Sequence, residues 1–360
     1  MRIAFLTVGD PARLTGGYLY HREVFARLRA RGVTVTEFVA SGADLAAQLA
    51  AAPGLGARFD PAPFDVVVVD ALACAVCAPW LDRWRARRPL VAMVHELPSV
   101  AAGENGNDRA SPPHLHTSTP PPSWEAPLLR ADRLIAVSED GARLLVERGV
   151  ARERIIVASG GYDRLPRRPA APAGPPWSAL CVAQWIPRKG VLELARAWGR
   201  VARPGWRLEL AGEPDADPAY GAAVRAALAL APPGSVAAHG PLSDAALSDA
   251  YARAAFFALP SRYEGYGLVF AEALAAGLPV LACAVGPLPE LVGPDAGLLV
   301  PPHDDAALDA ALARLMDDAA LRERMALAAQ ARVAALPAWE GCAAAFLGAL
   351  EAAIAVRKRA

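Results

Sequence analysis

Glu264 and Glu272 are separated by seven residues in Ser261-Arg262-Tyr263-Glu264-Gly265-Tyr266-Gly267-Leu268-Val269-Phe270-Ala271-Glu272-Ala273, two carboxylates flanking a glycine-rich turn. The stretch follows an expected strand and opens an expected helix. Gly265 and Gly267, on either side of Tyr266, let a backbone approach a ligand closely. The amides of a helix starting near Leu268 point outward, an arrangement suited to a diphosphate. Glu272 then lies about one turn into the helix, roughly 6 Å along its axis. A ribose carried by that diphosphate lies at this reach, and a carboxylate can accept from both of its vicinal hydroxyls. Glu264, across the phosphate, stands where an attached sugar would project. The alternative is a helix-start carboxylate that merely complements the dipole.

Two further groups could take part. Ile186-Pro187-Arg188-Lys189-Gly190 is a compact basic turn, to be weighed against a solvated charged loop. His95, in Met93-Val94-His95-Glu96-Leu97-Pro98, ends a strand-like run, and the carboxyl ends of strands line the ligand crevice of open α/β sheets. A structural histidine is the alternative reading. His21 falls on the first expected helix and reads as a surface or capping residue. His114 and His116 share a polar loop but lack further ligands, and Cys74-Ala75-Val76-Cys77 is a CxxC without a second pair. No metal site is expected.

These residues need a scaffold that brings strand ends together. Arg2–Val8, Val33–Val39, Phe64–Val69, Leu90–Val94 and Leu134–Val137 read as strands, several of them continuously apolar as in parallel sheets covered on both faces. Tyr20, Val24 and Leu28 mark a helix stopped by Gly32. Ala179–Ala183, Leu208–Ala211, Val236–His239, Ala255–Leu259, Pro279–Ala282 and Gly297–Val300 form a second series of strands separated by helical segments. Between the series, Gly160 to Pro176 is crowded with Gly and Pro, as in an interdomain linker. The expected organisation is a Rossmann-like domain over 1–160, a linker over 161–177, a second Rossmann-like domain over 178–336, and a C-terminal helix with a basic tail over 337–360. The loop from Ala101 to Pro122 is polar and lacks periodicity, either a surface insertion or an acceptor-side lid.

The 360 residues, 54% of them hydrophobic, suffice for two buried cores. Lys+Arg and Asp+Glu balance at 37 each, which removes a global electrostatic argument for nucleic acid. The apolar run Ile3 to Val8 is too short for an export signal. Five scattered cysteines suit reduced thiols, so a cytoplasmic location is expected. Arg83, Arg85, Arg87 and Arg88 interleave with Trp80, Leu81 and Trp84, either an ordinary solvated helix face or a basic amphipathic helix for a membrane surface.

The glutamate pair within EGYGLVFAEALAAGLPVLA resembles the EX7E motif of retaining glycosyltransferases of family 4, which have the GT-B fold. The basic turn Ile186 to Gly190, the glycine turn Thr15-Gly16-Gly17, Ala136-Val137-Ser138 and Gly297-Leu298-Leu299-Val300-Pro301 resemble further blocks of that family, in the same order along the chain. The resemblance implies two Rossmann-like doubly wound domains facing a central cleft, with the C-terminal helix crossing back to the first domain. It implies a nucleotide-diphosphate sugar as donor, bound by the second domain, and an acceptor bound by the first. Glu272 would hold the ribose, Glu264 the hydroxyls of the sugar, and Arg188 and Lys189 the diphosphate. Gly16 and Gly17 would approach the same phosphates, and His95 would contact the donor sugar or its acceptor. Transfer would keep the anomeric configuration by same-face displacement, without cofactor or metal. Family members commonly carry an arginine where this chain has Gln184, and a neutral amide cannot neutralise a diphosphate. The acceptor, whether saccharide, lipid-linked or small molecule, stays open, as does peripheral association with the inner face of a membrane. A nucleotide-sugar epimerase, a phosphorylase and a non-catalytic nucleotide-sugar-binding protein are the competing readings.

Overall fold

The computed structural model describes residues 1–13, 15–42, 44–100, 121–166 and 174–359. Most of the expected 101–122 loop, including His114 and His116, and the centre of the Pro-rich linker lie outside the described residues. The chain divides into two compact units, one comprising Met1–Gly160 with Pro337–Ala360 and the other Gly161–Leu336.

The first unit holds a parallel sheet of β1 (Arg2–Val8), β2 (Thr34–Ala40), β3 (Val66–Asp70), β4 (Leu90–Val94), β5 (Arg133–Ala136) and β6 (Ile155–Val157), in the order β2-β1-β3-β4-β5-β6. The strands β3 and β4 are buried throughout, as their unbroken apolar sequences require. Helix α1 (Gly16–Ala30) buries Tyr20, Val24 and Leu28, the four-residue stripe evident in the sequence, and Thr15 caps its first turn. Further helices of this part are α2 (Leu45–Arg58), α3 (Cys74–Arg87), the short α4 (Ala126–Leu129) and α5 (Glu139–Glu147). Leu81 and Trp84 of α3 are fully buried, and the Trp80 indole donates to the Ala52 carbonyl at 2.7 Å. The apolar side of this helix therefore faces the core. Arg85 and Arg88 donate to backbone carbonyls and Arg87 pairs with Asp60.

The second unit holds β7 (Trp177–Val182), β8 (Trp206–Ala211), β9 (Val236–Gly240), β10 (Phe256–Leu259), β11 (Val280–Cys283) and β12 (Gly297–Val300), in the order β12-β11-β10-β7-β8-β9 and parallel throughout. Its helices are α6 (Val191–Val201), α7 (Pro218–Leu228), α8 (Asp244–Arg253), α9 (Leu268–Ala275), α10 (Leu288–Val292), α11 (Asp305–Asp317) and α12 (Ala319–Arg332). In both sheets the strand order reverses once, between β1 and β3 and between β7 and β10. A crevice opens outside the carboxyl ends of strands at such a reversal.

The last helix, α13 (Trp339–Arg359), belongs to the first unit and runs through the basic residues that read as a tail in the sequence. Trp339, Ala343, Phe346, Leu350 and Ala353 form its buried stripe. Trp339 meets Tyr20 edge-on at 5.6 Å and Phe346 meets Phe25 at 6.2 Å. Full burial of such side chains is worth about 1.5–3 kcal/mol each, and Glu340 pairs with Arg27 and Arg31 of the α1 region.

Candidate functional site

The reversal between β7 and β10 gathers most of the expected donor-site residues. The turn after β7 carries Gln184, Arg188 and Lys189, and the turn after β10 carries Glu264 to Gly267. The two turns are clamped together. Gly190 has a φ of 66°, and a Cβ there would stand 2.2 Å from the Pro260 carbonyl oxygen, so only glycine fits. The Arg262 amide donates to the Arg188 carbonyl at 2.8 Å. The clamp brings the Lys189 ammonium to Glu264 Oε1 at 2.7 Å, with both side chains largely buried. Arg188 donates from Nη1 to the Tyr263 carbonyl at 3.1 Å. Burial works against ionisation of Glu264, but Lys189 and Arg188 outweigh it and hold this carboxyl below the usual range.

Gly267 takes a left-handed φ of 96° and opens α9 at Leu268. It has no side chain to cap the helix, which leaves the terminus suited to an anion. A Cβ at Gly267 would lie 2.9 Å from Leu288, so close packing as well as conformation calls for glycine. Gly265 and Tyr266 lead into this turn, and Tyr266 packs on the unit's core.

Glu272 lies on the buried face of α9. Arg164 donates to its Oε1 from Nε at 3.0 Å and Nη2 at 2.8 Å, and Tyr251 of α8 donates to its Oε2 at 3.2 Å. Burial dominates this carboxyl and raises its pKa, with Arg164 and Tyr251 only partly countering it. Arg164 also pairs with Asp244. It lies in the Gly/Pro-rich stretch that reads as a linker, where composition hides a single functional arginine. Gln184 donates from Nε2 to Glu213 at 2.7 Å, so this position adds no positive charge.

The first unit forms a second group at the carboxyl ends of β1, β3 and β4. Gly16 and Gly17 begin α1, and a Cβ on Gly17 would lie 3.7 Å from the His95 ring. His95 Nε2 is 2.7 Å from His21 Nε2, and His21 Nε2 is 3.8 Å from Asp70 Oδ2. The Thr7 hydroxyl donates to Asp70 Oδ2 at 2.8 Å and the Leu72 amide to Oδ1 at 3.1 Å. Burial pushes His95 down to about 4 and His21 well below its ordinary value, while it lifts Asp70 to about 7. The expectation of a surface or capping role for His21 is corrected: its ring is 4% exposed and stacks on Phe25. A usable signal lay in the spacing, since Gly17 and His21 are four apart on a helix and share a face.

His21, Asp70 and His95 are the described residues that approach a metal-binding arrangement. Two nitrogens bound to one tetrahedral zinc at 2.0–2.1 Å stand about 3.3 Å apart. At 2.7 Å the two rings are instead hydrogen-bonded. Cys74 and Cys77 are buried on α3, and burial raises both thiols.

Residues 178–318 match the family model described as glycosyl transferases group 1, and residues 19–164 match that of glycosyltransferase family 4. The D-inositol 3-phosphate glycosyltransferase of Nocardia farcinica is 33% identical over 273 residues, 71% of this chain and 59% of that protein. The chain spans less than two thirds of the length of the curated relatives it matches. Among solved structures, sucrose-phosphate synthase from Thermosynechococcus elongatus superposes with a TM-score of 0.74 at 25% identity, covering 95% of this chain and 96% of the other. Anabaena HepE in complex with UDP and glucose gives 0.73 at 19% identity, covering 98% and 99%.

Proposed function

We propose, from the premise that its two halves are glycosyltransferase domains on a GT-B fold, that this chain transfers a sugar from a nucleoside-diphosphate sugar to an acceptor hydroxyl with retention of anomeric configuration. The observation that carries the reading is the buried Lys189–Glu264 pair beside the uncapped start of α9, one turn from Glu272. The diphosphate is bound by the α9 terminus with Lys189 and Arg188, whose charge counts most as the phosphate departs. Glu272 accepts from the ribose hydroxyls. Glu264, kept ionised by Lys189, accepts from the hydroxyls of the sugar and favours the positive charge developing on its ring. The departing phosphate oxygen takes the acceptor proton, so no protein nucleophile, metal or cofactor is required.

The first unit binds the acceptor, and its His95 contacts that acceptor. The Anabaena neighbour was crystallised with UDP and glucose, which puts UDP-hexoses first in a donor screen. The inositol-phosphate enzyme among the relatives suggests a phosphorylated polyol or a lipid carrying one as acceptor. The cytoplasm is the expected compartment, in keeping with five free, buried cysteines. The neutral Gln184 and its bond to Glu213 favour a second reading, a nucleotide-sugar-binding protein without turnover.

Thermal unfolding across a panel of nucleoside diphosphates and their sugars tests donor recognition. A ligand at 100 times its Kd adds about 2.7 kcal/mol of stability. Stabilisation by one family of nucleotide sugars is expected. A panel without effect rejects the site.

A further inference from the structure

His95 is an acceptor-side contact in the proposed function, but its Nε2 is already engaged by His21 at 2.7 Å. Nδ1 is therefore the ring nitrogen left for a ligand, and its chemistry depends on which histidine supplies the shared proton. Two neutral imidazoles at this distance need one N–H and one lone pair between them. Asp70 Oδ2 lies 3.8 Å from His21 Nε2. A lone pair on that nitrogen would face the carboxylate, whereas an N–H there is favoured by it. The Thr7 hydroxyl and the Leu72 amide hold both oxygens of Asp70, which fixes its orientation. His21 itself is fixed by stacking on Phe25 and an edge contact with Phe5 at 4.5 Å, and Tyr20 packs edge-on against His95 at 5.0 Å.

The geometry points to His21 as a positioning residue: its Nε2–H, oriented by Asp70, donates to His95 Nε2 and locks His95 in the Nδ1–H tautomer, so that His95 meets the ligand of the first unit as a hydrogen-bond donor and not as a base. The consequence is specificity for an acceptor atom, such as a sugar hydroxyl oxygen, opposite Nδ1. Both rings stay neutral, as their burial favours. The inference rests on the proposed role of His95 for its meaning in transfer, while the tautomer itself can be read without any substrate.

The test uses the full chain carrying 15N-histidine at pH 8, above the value of about 7 to which burial lifts Asp70. Long-range 1H–15N spectra of the six histidines are assigned at His95 with His95→Gln. The expected wild-type spectrum has His95 Nδ1 at a protonated shift and Nε2 at a bare one. In His21→Phe, which keeps the ring packing and removes the donor, both His95 shifts should move toward the average of exchanging tautomers. In His21→Gln, whose amide reaches the same point, the wild-type pattern should largely return. A bare Nδ1 in the wild type, or a His95 spectrum indifferent to His21→Phe in a folded protein, overturns the inference. In a transfer assay His21→Phe should lower kcat roughly 10- to 100-fold, as misorientation of a contact does, with partial rescue by His21→Gln. The expected spectra from a protein that turns over no donor would support the tautomer lock and count against the transferase reading alone.

Discussion

Arg164 directs two nitrogens at one oxygen of Glu272, at 3.0 and 2.8 Å, and both side chains are almost wholly buried. The carboxylate assigned to the ribose is thus held by an arginine from the start of the second unit. Replacing Arg164 with Met should leave a buried carboxylate without its cation and cost about 3–5 kcal/mol of stability. The exposed partner Asp244 should contribute little to that loss. Urea denaturation of the variant against wild type measures it, and a loss below about 1 kcal/mol would mean that the pair is not formed in solution.

Glu272→Gln keeps the shape of the side chain and removes its charge. Donor affinity should fall by about one to two orders of magnitude, the scale of hydrogen bonds to a charged group. Isothermal titration with nucleoside diphosphate sugar is the check, and unchanged affinity would sink the ribose assignment.

The two glutamates are shifted in opposite directions, so acidification should separate them. Glu272 is raised by burial, and it takes up a proton above the ordinary carboxylate range. Glu264 is held down by Lys189 and Arg188 against burial, and it stays ionised to lower pH. For stability the signs differ. The folded state binds the Glu272 proton more readily than the unfolded chain does, so this group gains stability as pH falls through its raised pKa. Glu264 contributes stability above the ordinary value that is lost as pH falls through its depressed one. Donor affinity should therefore weaken on acidification before the fold does. Titrations at stepped pH beside melting curves test the order, and simultaneous loss would contradict it.

Glu264→Gln should lower turnover about 10²- to 10³-fold, the scale of a lost transition-state contact. Its amide oxygen can still accept from Lys189, which is the less deeply buried of the pair, so stability should fall by less than in a variant that strips the cation from the buried carboxylate. Lys189→Ala removes that cation and should lose both turnover and stability. Comparing kcat with the denaturation midpoint in the two variants separates chemistry from structure. Equal losses of stability would assign the pair a structural role only.

Turnover should survive EDTA. In the proposed function the diphosphate charge is met by Lys189, Arg188 and the α9 terminus, and the 2.7 Å between the His21 and His95 nitrogens is shorter than the separation of two ligands on one zinc. Loss of activity on chelation with rescue by added metal would refute this.

Much of the fold was legible because its signals are local. Val66 to Val69 reads as a buried parallel strand, and Tyr20, Val24 and Leu28 read as a helix stripe, with no tertiary information. The strand Ile155–Val157 escaped notice because three apolar residues carry no period. The Lys189–Glu264 contact follows from two turns that strand order makes neighbours, which spacing along the chain alone cannot reveal. Asp70 and Arg164 are hidden for the same reason, and so is the pairing of His21 with His95. They sit on a helix, at a strand end and in a Pro-rich stretch far apart along the chain, and only the folded chain gives each its partner.

The most direct measurement follows the purified chain by 1H NMR with each of a panel of nucleoside diphosphate sugars, beginning with UDP-glucose, and with candidate polyol acceptors. The account predicts that one donor releases its nucleoside diphosphate and that the sugar first appears, on acceptor or in water, with the anomeric configuration it had in the donor. Release with inverted configuration, or tight donor binding with no release under any acceptor, would contradict a retaining transferase.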